Sequence, residues 1–318
     1  MRGAHIQEPI ITVVIPVKNE ERYIIECLNG VFNQTYPSEL YRIIVVDNGS
    51  TDNTVALVES FGMTDRVQLL IKEEGTIAAV RNFGATCATG QFIAFLDGDC
   101  VPAQNWLETG IKLLKDNEGT GCIGFVGAPP DVHASWVEQT WHHLCSTGRA
   151  KGTSTVHWLS SFNLIMWSEL FHRIGGFDET LATCEDADLG YRLSIHARLL
   201  LSDESMVHHL DEPKTLRAFF LKELWRGKSS LRNLLRSSQK KHDLLSVAVP
   251  IIYLTVLVAG ILAFLSQYVL QSEFIKHIGL SCFIVVFLVP LLNLFYKTRR
   301  LLSIRLTLRA YFLSMVYL

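Results

Sequence analysis

The sequence has little of several features that would place it in a class at once. Its charge is nearly balanced, with 29 Lys and Arg against 31 Asp and Glu and a formal net charge of −2. No basic excess exists to hold a polyanion, so no nucleic-acid partner is expected. Seven cysteines are present, an odd number, and none forms a Cys-x-x-Cys pair. That pattern indicates reduced, partly buried thiols in a reducing compartment. The N-terminus lacks an apolar segment of leader length. Ile10–Val17 is too short and runs at once into Lys18, Asn19 and two glutamates. No cleaved signal peptide is expected, and the catalytic part should stay in the cytoplasm. Internal repeats and low-complexity tracts are also missing, and 318 residues suit one sizeable domain with an appendage, or two small ones.

Apolar residues are abundant, at 49%, and they are unevenly placed. Leu244 to Leu270 contains no charged residue, enough to span a hydrocarbon core of roughly 30 Å with some tilt. The polar break Gln271–His277 precedes a second apolar run, Ile278 to Tyr296. Lys240 and Lys241 flank the first run; Lys297, Arg299, Arg300, Arg305 and Arg309 follow the second; the break holds only Lys276. By the positive-inside rule both ends are cytoplasmic, giving a transmembrane hairpin over 244–296 and a multi-pass protein of the cell membrane. The 297–318 segment reads as a basic tail, with Tyr311–Leu318 either interfacial or the start of a further membrane segment. Ahead of the hairpin, Lys214–Lys241 carries nine Lys or Arg and one acid, with Leu216, Phe219, Phe220, Leu224, Leu231, Leu234 and Leu235 at helical spacing. Residues 214–243 therefore read as a basic amphipathic helix at an anionic membrane surface, with membrane lipids as partners.

The first two hundred residues alternate strand-length apolar runs with stretches of helical period. Ile10–Val17, Ile43–Val46, Val67–Ile71 and Phe92–Leu96 are such runs, as are Cys122–Val126 and Trp158–Met166; Glu21–Phe32 and Thr54–Phe61 are helical. Buried strands alternating with helices imply a parallel-type sheet covered on both faces. Ligands of open α/β sheets bind beyond the carboxyl ends of the strands, and three strand exits here carry polar clusters.

The first exit is Pro16-Val17-Lys18-Asn19-Glu20 and the second is Asp47-Asn48-Gly49-Ser50-Thr51-Asp52. Asp and Asn there can read the edge of a base, whereas Asp52 is a plausible helix cap and is left structural. The third, Asp97-Gly98-Asp99, offers two carboxylates across a glycine, a set hard cations such as Mg²⁺ or Mn²⁺ share with substrate phosphates. A further acidic group, Cys184-Glu185-Asp186-Ala187-Asp188, begins a helix. Its carboxylates suit the helix dipole; the functional reading takes Asp186 as a general base for an acceptor hydroxyl, with Glu185 fixing that hydroxyl.

Together with Ala79-Val80-Arg81-Asn82-Phe83-Gly84 and Gly175-Gly176-Phe177-Asp178-Glu179, these motifs resemble the family 2 glycosyltransferases of GT-A fold, over roughly residues 8 to 215. The resemblance implies a Rossmann-like α/β catalytic domain spanning 8–213, a nucleotide-diphosphate sugar donor, often a UDP-sugar, and inversion at the anomeric carbon. It implies that Pro16, Val17, Asn19 and Glu20 line the nucleotide pocket with Asp47 and Asn48 against the base. Arg81 would approach the nucleotide or its phosphates, Asp97, beside Gly98, would hold the ribose or a metal-bound water, and Asp99 would hold a Mn²⁺ or Mg²⁺ ion. Asp186 would be the base. Ser160-Ser161-Phe162-Asn163 and Gly176-Phe177 look like the acceptor-facing strand and turn. By the same similarity a histidine after the acidic motif is a metal ligand, His208 being favoured over His209, and Arg226 and Lys228 would contact the departing diphosphate.

The chain departs from the processive members. Leu224-Trp225-Arg226 stands where they carry Gln-x-x-Arg-Trp, and two spans are too few for a translocation channel. Addition of a single sugar to a lipid-linked or cell-surface-glycan-precursor acceptor, within polysaccharide biosynthesis, is therefore expected. A sugar-phosphate nucleotidyltransferase would carry a Gly-rich loop after the first strand, and Pro16-Val17-Lys18-Asn19-Glu20 has no glycine. A catalytically silent membrane-anchored module is the alternative of another class; Asp99 and Asp186, whose loss would favour it, are both present. His142 and His143 beside Trp141 suggest packing or acceptor contacts.

Overall fold

The structure, a computed structural model, describes residues 10–62, 66–146, 151–227, 240–298 and 304–317. The chain forms two compact units: residues Met1–Pro129 with Ala150–Glu212, and residues Pro130–Arg149 with Pro213–Leu318.

The first unit is built on one sheet. Among the described residues its strands are β1 (Ile11–Val17), β2 (Tyr41–Asp47), β3 (Val67–Ile71), β4 (Phe92–Leu96), β5 (Cys100–Pro102), β6 (Thr120–Gly127), β7 (Ser154–Val156), β8 (Asn163–Trp167) and β9 (Arg198–His209). They lie in the order β3-β2-β1-β4-β8-β6-β9-β5, with β7 paired to β9. Helices α1 (Ile24–Phe32), α2 (Thr54–Gly62), α3 (Ile77–Thr86), α4 (Trp106–Asp116), α6 (Ser168–Arg173) and α7 (Glu185–Ser194) belong to this unit.

The central strands have no polar face because both faces are covered. In β1, Ile11, Val13, Ile15 and Val17 pack into one core and Val14 into another. In β4, Phe92, Ala94 and Leu96 join the first core, while Ile93 and Phe95 join the second. The period of two thus distributes a continuous apolar run between two layers.

The sheet is parallel from β3 through β2 and β1 to β4. Beyond that it departs from the parallel-type expectation. Strand β8 is antiparallel to β4 and β6, β9 runs parallel to β6, and β5 and β7 are antiparallel to β9. Apolar runs report burial and carry no strand direction, so the reversal at β8 left no mark on the sequence. Strand β8 also starts at Asn163; residues 157–162 form a loop rather than the start of that strand.

The second unit is helical: α5 (Trp136–Ser146), α8 (Leu216–Arg226), α9 (Lys240–Leu270), α10 (Glu273–Thr298) and α11 (Ile304–Tyr317). Ala248–Gln267 and Glu273–Leu292 are each long and apolar enough to cross a membrane, and α9 and α10 pack together. Helix α11 has 14 residues, about 21 Å of rise. Its Ala310 and Leu313 are fully buried, and Leu313 meets Val137 of α5 and Phe219 of α8. Trp141 stacks edge-on to Phe219 at 4.9 Å, and Tyr311 Oη donates to Phe287 O at 3.0 Å. The helix is thereby tied to α5, α8 and α10. His142 and His143 lie on α5 within this packing. The basic stretch after Gly227, Lys228 included, lies outside the described residues.

Candidate active site

The exits of β1 and β2 are stitched together by side chains. Asn19 adopts a left-handed backbone, φ 60°. Its N–H donates to Ser50 Oγ at 2.9 Å, and its Oδ1 accepts from Thr51 N–H at 2.8 Å. Glu20 N–H donates to Thr54 Oγ1, and Glu21 N–H to Asp52 Oδ2. Asp52 Oδ1 also accepts from Thr54 N–H at 3.0 Å, so this residue holds loop to helix start. Pro16 and Val17 are buried inside β1 and lie beneath the rim.

Asp47 and Asn48, at the end of β2, are buried. Asp47 Oδ2 accepts from Ser50 N–H at 2.9 Å, and Asn48 Nδ2 donates to Gly75 O at 3.2 Å. The other oxygen of each, Oδ1, is buried without a hydrogen-bond partner in the protein. Two unmet acceptors side by side in a buried position call for donors from a ligand.

The third exit supplies Asp97, Gly98 and Asp99. Gly98 is buried against Val17 and Glu20. Burial, then Asp99, Asp211, Asp97 and Asp52, push the Glu20 carboxyl up to about 8. That concentration of carboxylates is the electrostatic signature of a place suited to a cation. Asp99 Oδ2 lies 3.5 Å from His209 Nε2, and His209 Nδ1 lies 3.9 Å from Glu212 Oε1.

Here the structure brings His209, rather than the favoured His208, beside Asp99. The β5–β9 register pairs Cys100 with His209 and Val101 with His208. Successive strand residues face opposite ways, and it is His209, on the face of Cys100, whose Nε2 comes within 3.5 Å of Asp99 Oδ2. Among the described residues, Asp99, Cys100 and His209 bring ligand-type atoms within 4.8 Å of one another. Burial, then Asp99, hold the Cys100 thiol well above its ordinary range. A neutral thiol is a poor ligand for a hard cation, whereas Asp99 and His209 fit one.

Arg81 of α3 is 2% exposed. Its Nη2 donates to Asp97 Oδ1 at 2.6 Å and its Nη1 to Glu185 Oε1 at 2.8 Å. Burial disfavours the guanidinium charge, and Asp97 and Glu185 outweigh that effect and raise its pKa. A buried cation so engaged ties the end of β4 to the start of α7. Glu185 is likewise buried, and Ser161 Oγ donates to the same Oε1 at 3.4 Å.

Asp186, the next residue of α7, is half-buried, and its Oδ1 accepts from Ala187 N–H at 2.8 Å. Burial and then Glu185 push its carboxyl up to about 6. A carboxylate raised toward neutrality is a stronger base than an ordinary aspartate, yet still ionised at pH 7. Asp188 serves another purpose. It pairs with Arg192, whose Nη1 donates to Ile174 O and Gly176 O at 3.0 and 2.7 Å.

Three expected acceptor contacts prove internal. Phe177 is 2% exposed and packs on Phe95 and Phe171 at 5.2 and 5.7 Å, with Arg81 5.5 Å over its ring. Asn163 accepts from Phe125 N–H at 2.7 Å and donates to Phe125 O at 3.1 Å, locking β8 to β6. Gly176 has φ +69°, and a Cβ there would meet Asn82 Oδ1 at 2.6 Å. Asn82 pairs with the backbone of Phe177 in both directions, at 2.9 Å each. Motif positions beside a site are in this case its scaffold. Arg226 belongs to the second unit, paired with Glu223 and 5.8 Å over Trp141.

Known proteins share this fold. The family model described as glycosyl transferase family 2 matches residues 12–176, just over half of the chain. Glycosyltransferase AglE of Haloferax volcanii is 33% identical over 199 residues, 58% of this chain and 64% of the relative. The chain therefore matches less than two thirds of that relative's length. Mannosyltransferase PcManGT from Pyrobaculum calidifontis, solved with GDP-Man and Mn²⁺, superposes with a TM-score of 0.64 at 19% identity, covering 97% of this chain and 86% of that one. TarS of S. aureus, residues 1–349 with UDP-GlcNAc, superposes at 0.54 and 17% identity, covering 97% and 91%. At those identities the solved structures show the shared GT-A-like fold.

Proposed function

This chain belongs to glycosyl transferase family 2, and from that premise we propose that it transfers one sugar from a nucleotide-diphosphate donor, a UDP-sugar, to a lipid-linked acceptor at the cytoplasmic face of a membrane. The observation that carries this reading is the buried Arg81, which ties Asp97 of the strand rim to Glu185 beside Asp186. It gathers a donor side and a base into one site.

On the donor side, the unmet Oδ1 atoms of Asp47 and Asn48 accept from the base, and Asp97 receives a ribose hydroxyl. Asp99 and His209 would hold a Mn²⁺ or Mg²⁺ ion, which when bound neutralises charge on the diphosphate. On the acceptor side, Asp186 takes the proton of the attacking hydroxyl. The acceptor oxygen bonds to the anomeric carbon as the bond from that carbon to the diphosphate oxygen breaks, and the electron pair leaves with the diphosphate. A single displacement of this kind inverts the anomeric centre. Glu185 and Arg81 hold the base in place.

The membrane part of the proposal rests on Ala248–Gln267 and Glu273–Leu292 and on α8. That helix buries Phe219 but exposes Phe220, Leu221, Leu224 and Trp225, interleaved with Lys222 and Arg226, as at a lipid interface. A membrane-held enzyme and a membrane-held acceptor would meet in two dimensions.

The test is nucleotide release by the detergent-purified chain, offered UDP-, GDP- and TDP-sugars with Mn²⁺ or Mg²⁺ and a membrane lipid extract. Release from one donor that needs metal and lipid, and is lost in Asp99→Ala and Asp186→Asn, supports the proposal. Failure to bind any nucleotide sugar refutes it and favours a silent module.

A further inference from the structure

Among the described residues of the first unit, Trp158 is the one aromatic side chain that is exposed, at 54%. It does not sit on a loose loop. The preceding β7 pairs with β9 from Ser154↔Leu201 to Val156↔Leu199, and the following β8 lies between β4 and β6. Between them Leu159 is buried in the core and Ser161 bonds Glu185. A rigid loop that presents an indole to solvent needs a reason, since Trp normally buries most of its large surface.

The loop is seated on the catalytic helix. A Cβ at Gly190 would lie 2.8 Å from both Cα and Cβ of Trp158 and 3.4 Å from His157 O. Gly190 thus lets the loop backbone lie directly on α7. Gly190 is also four residues after Asp186, so both occupy the same face of that helix, one turn and about 6 Å apart. Position 190 has no side chain of its own, and Cα and Cβ of Trp158 take the place.

We propose that Trp158 is the stacking platform for the pyranose ring of the acceptor, which presents its hydroxyl to Asp186. One face of a pyranose is lined by C–H groups and is apolar, while its rim is polar. An exposed indole beside a base binds such a ring by its face and leaves the hydroxyls free for carboxylates. The inference rests on the transferase reading and adds that the acceptor's reacting end is a sugar.

The test uses the detergent-purified full chain and four methyl pyranosides: glucoside, galactoside, mannoside and N-acetylglucosaminide. Each is titrated by ligand-observed NMR, with and without UDP and Mn²⁺. At least one is expected to bind the wild-type chain, about tenfold more weakly in Trp158→Ala, and within about threefold of wild type in Trp158→Phe. A tenfold loss is about 1.4 kcal/mol. The melting temperature and UDP affinity should be unchanged, because the side chain is exposed. Binding of none of the four glycosides at tens of millimolar, or equal binding by Trp158→Ala, overturns the proposal. Failure of UDP-sugars to bind counts against the transferase reading alone, and the titration without nucleotide still decides the role of the indole.

Discussion

Replacing Arg81 with Met tests the central claim about the site. The methionine keeps much of the aliphatic volume and removes the charge from a side chain only 3% exposed. Two carboxylates then lose their counter-ion. Glu185 is 10% exposed, whereas Asp97 is 28% exposed and can recover water. Breaking a buried pair from one side costs about 3–5 kcal/mol. Glu185 should contribute most of that and Asp97 the smaller, solvent-screened part. At roughly 2–4 °C per kcal/mol for a domain of this size, the melting temperature should fall by on the order of 10 °C. Arg81→Lys should fall less but not recover, since one ammonium cannot reproduce the fork that reaches both Asp97 and Glu185. Thermal melting of the detergent-purified chain reads both variants. Adding Glu185→Gln to Arg81→Met removes the stranded charge, so the double variant should be more stable than the sum of the two single losses predicts. A melting temperature within 2 °C of wild type for Arg81→Met, or strict additivity in the cycle, would refute the argument that this cation holds the acidic groups together.

Other consequences follow from individual groups. Because burial and Glu185 raise Asp186 to about 6, the proposed base is protonated below that pH. kcat/KM should therefore drop tenfold per pH unit on the acid side and level off above about 7; an acid limb near pH 4 would contradict it. Asp186→Asn should reduce transfer by about 10²–10⁴-fold while UDP-sugar affinity, measured by calorimetry, stays put. His209→Ala should raise the Mn²⁺ concentration for half-activation at least tenfold, as should Asp99→Asn, and His208→Ala should match wild type. The opposite histidine pattern would overturn the pairing of His209 with Asp99 as ligands. Asn82→Ala removes both bonds to the Phe177 backbone, at about 1–3 kcal/mol. It should slow turnover more than it weakens donor binding, and equal losses in kcat and donor affinity would show that the turn is not confined to the acceptor side.

How much of this was written in the sequence depends on range. Strands β1 to β4 were legible because each is a short run of apolar residues closed by polar ones, as Phe92–Leu96 is closed by Asp97. Strand β9 was harder, since Ser202, Asp203, Glu204 and Ser205 interrupt its apolar pattern, and the three-residue β5 and β7 carry almost none. The acidic motifs announced the site, but not which neighbours serve it. His208 and His209 are indistinguishable until the β5–β9 register is known. Phe177 and Asn163 lie within motifs that border the site, and only packing reveals that both point into the protein. Helix α11 looked like a tail because its partners Val137 and Phe219 are remote in sequence.

The least legible feature is also the one that ties the acidic groups together. Arg81 bonds a carboxylate 16 residues away and another 104 residues away, and nothing local marks it as buried. Its neighbour Asn82 holds the Phe177 backbone, and Phe177 in turn lies under the Arg81 guanidinium. Helix α3 therefore grips the 175–188 segment by charge at Glu185, by backbone mimicry at Phe177 and by the bond from Asn82 Nδ2 to Glu179 Oε1. The strand rim and the start of α7 are separate pieces of chain with no covalent reason to keep a fixed distance. A mobile loop could carry Asp186 near the rim some of the time, but displacement chemistry loses rate steeply when the base is an ångström out of place. The desolvation that a buried Arg81 suffers is the physical cost of fixing that distance, and it is offset by the carboxylates that meet Nη1 and Nη2. An exposed arginine at the same motif would bind phosphate more readily and position the base less well, which is why its burial argues for an organising role.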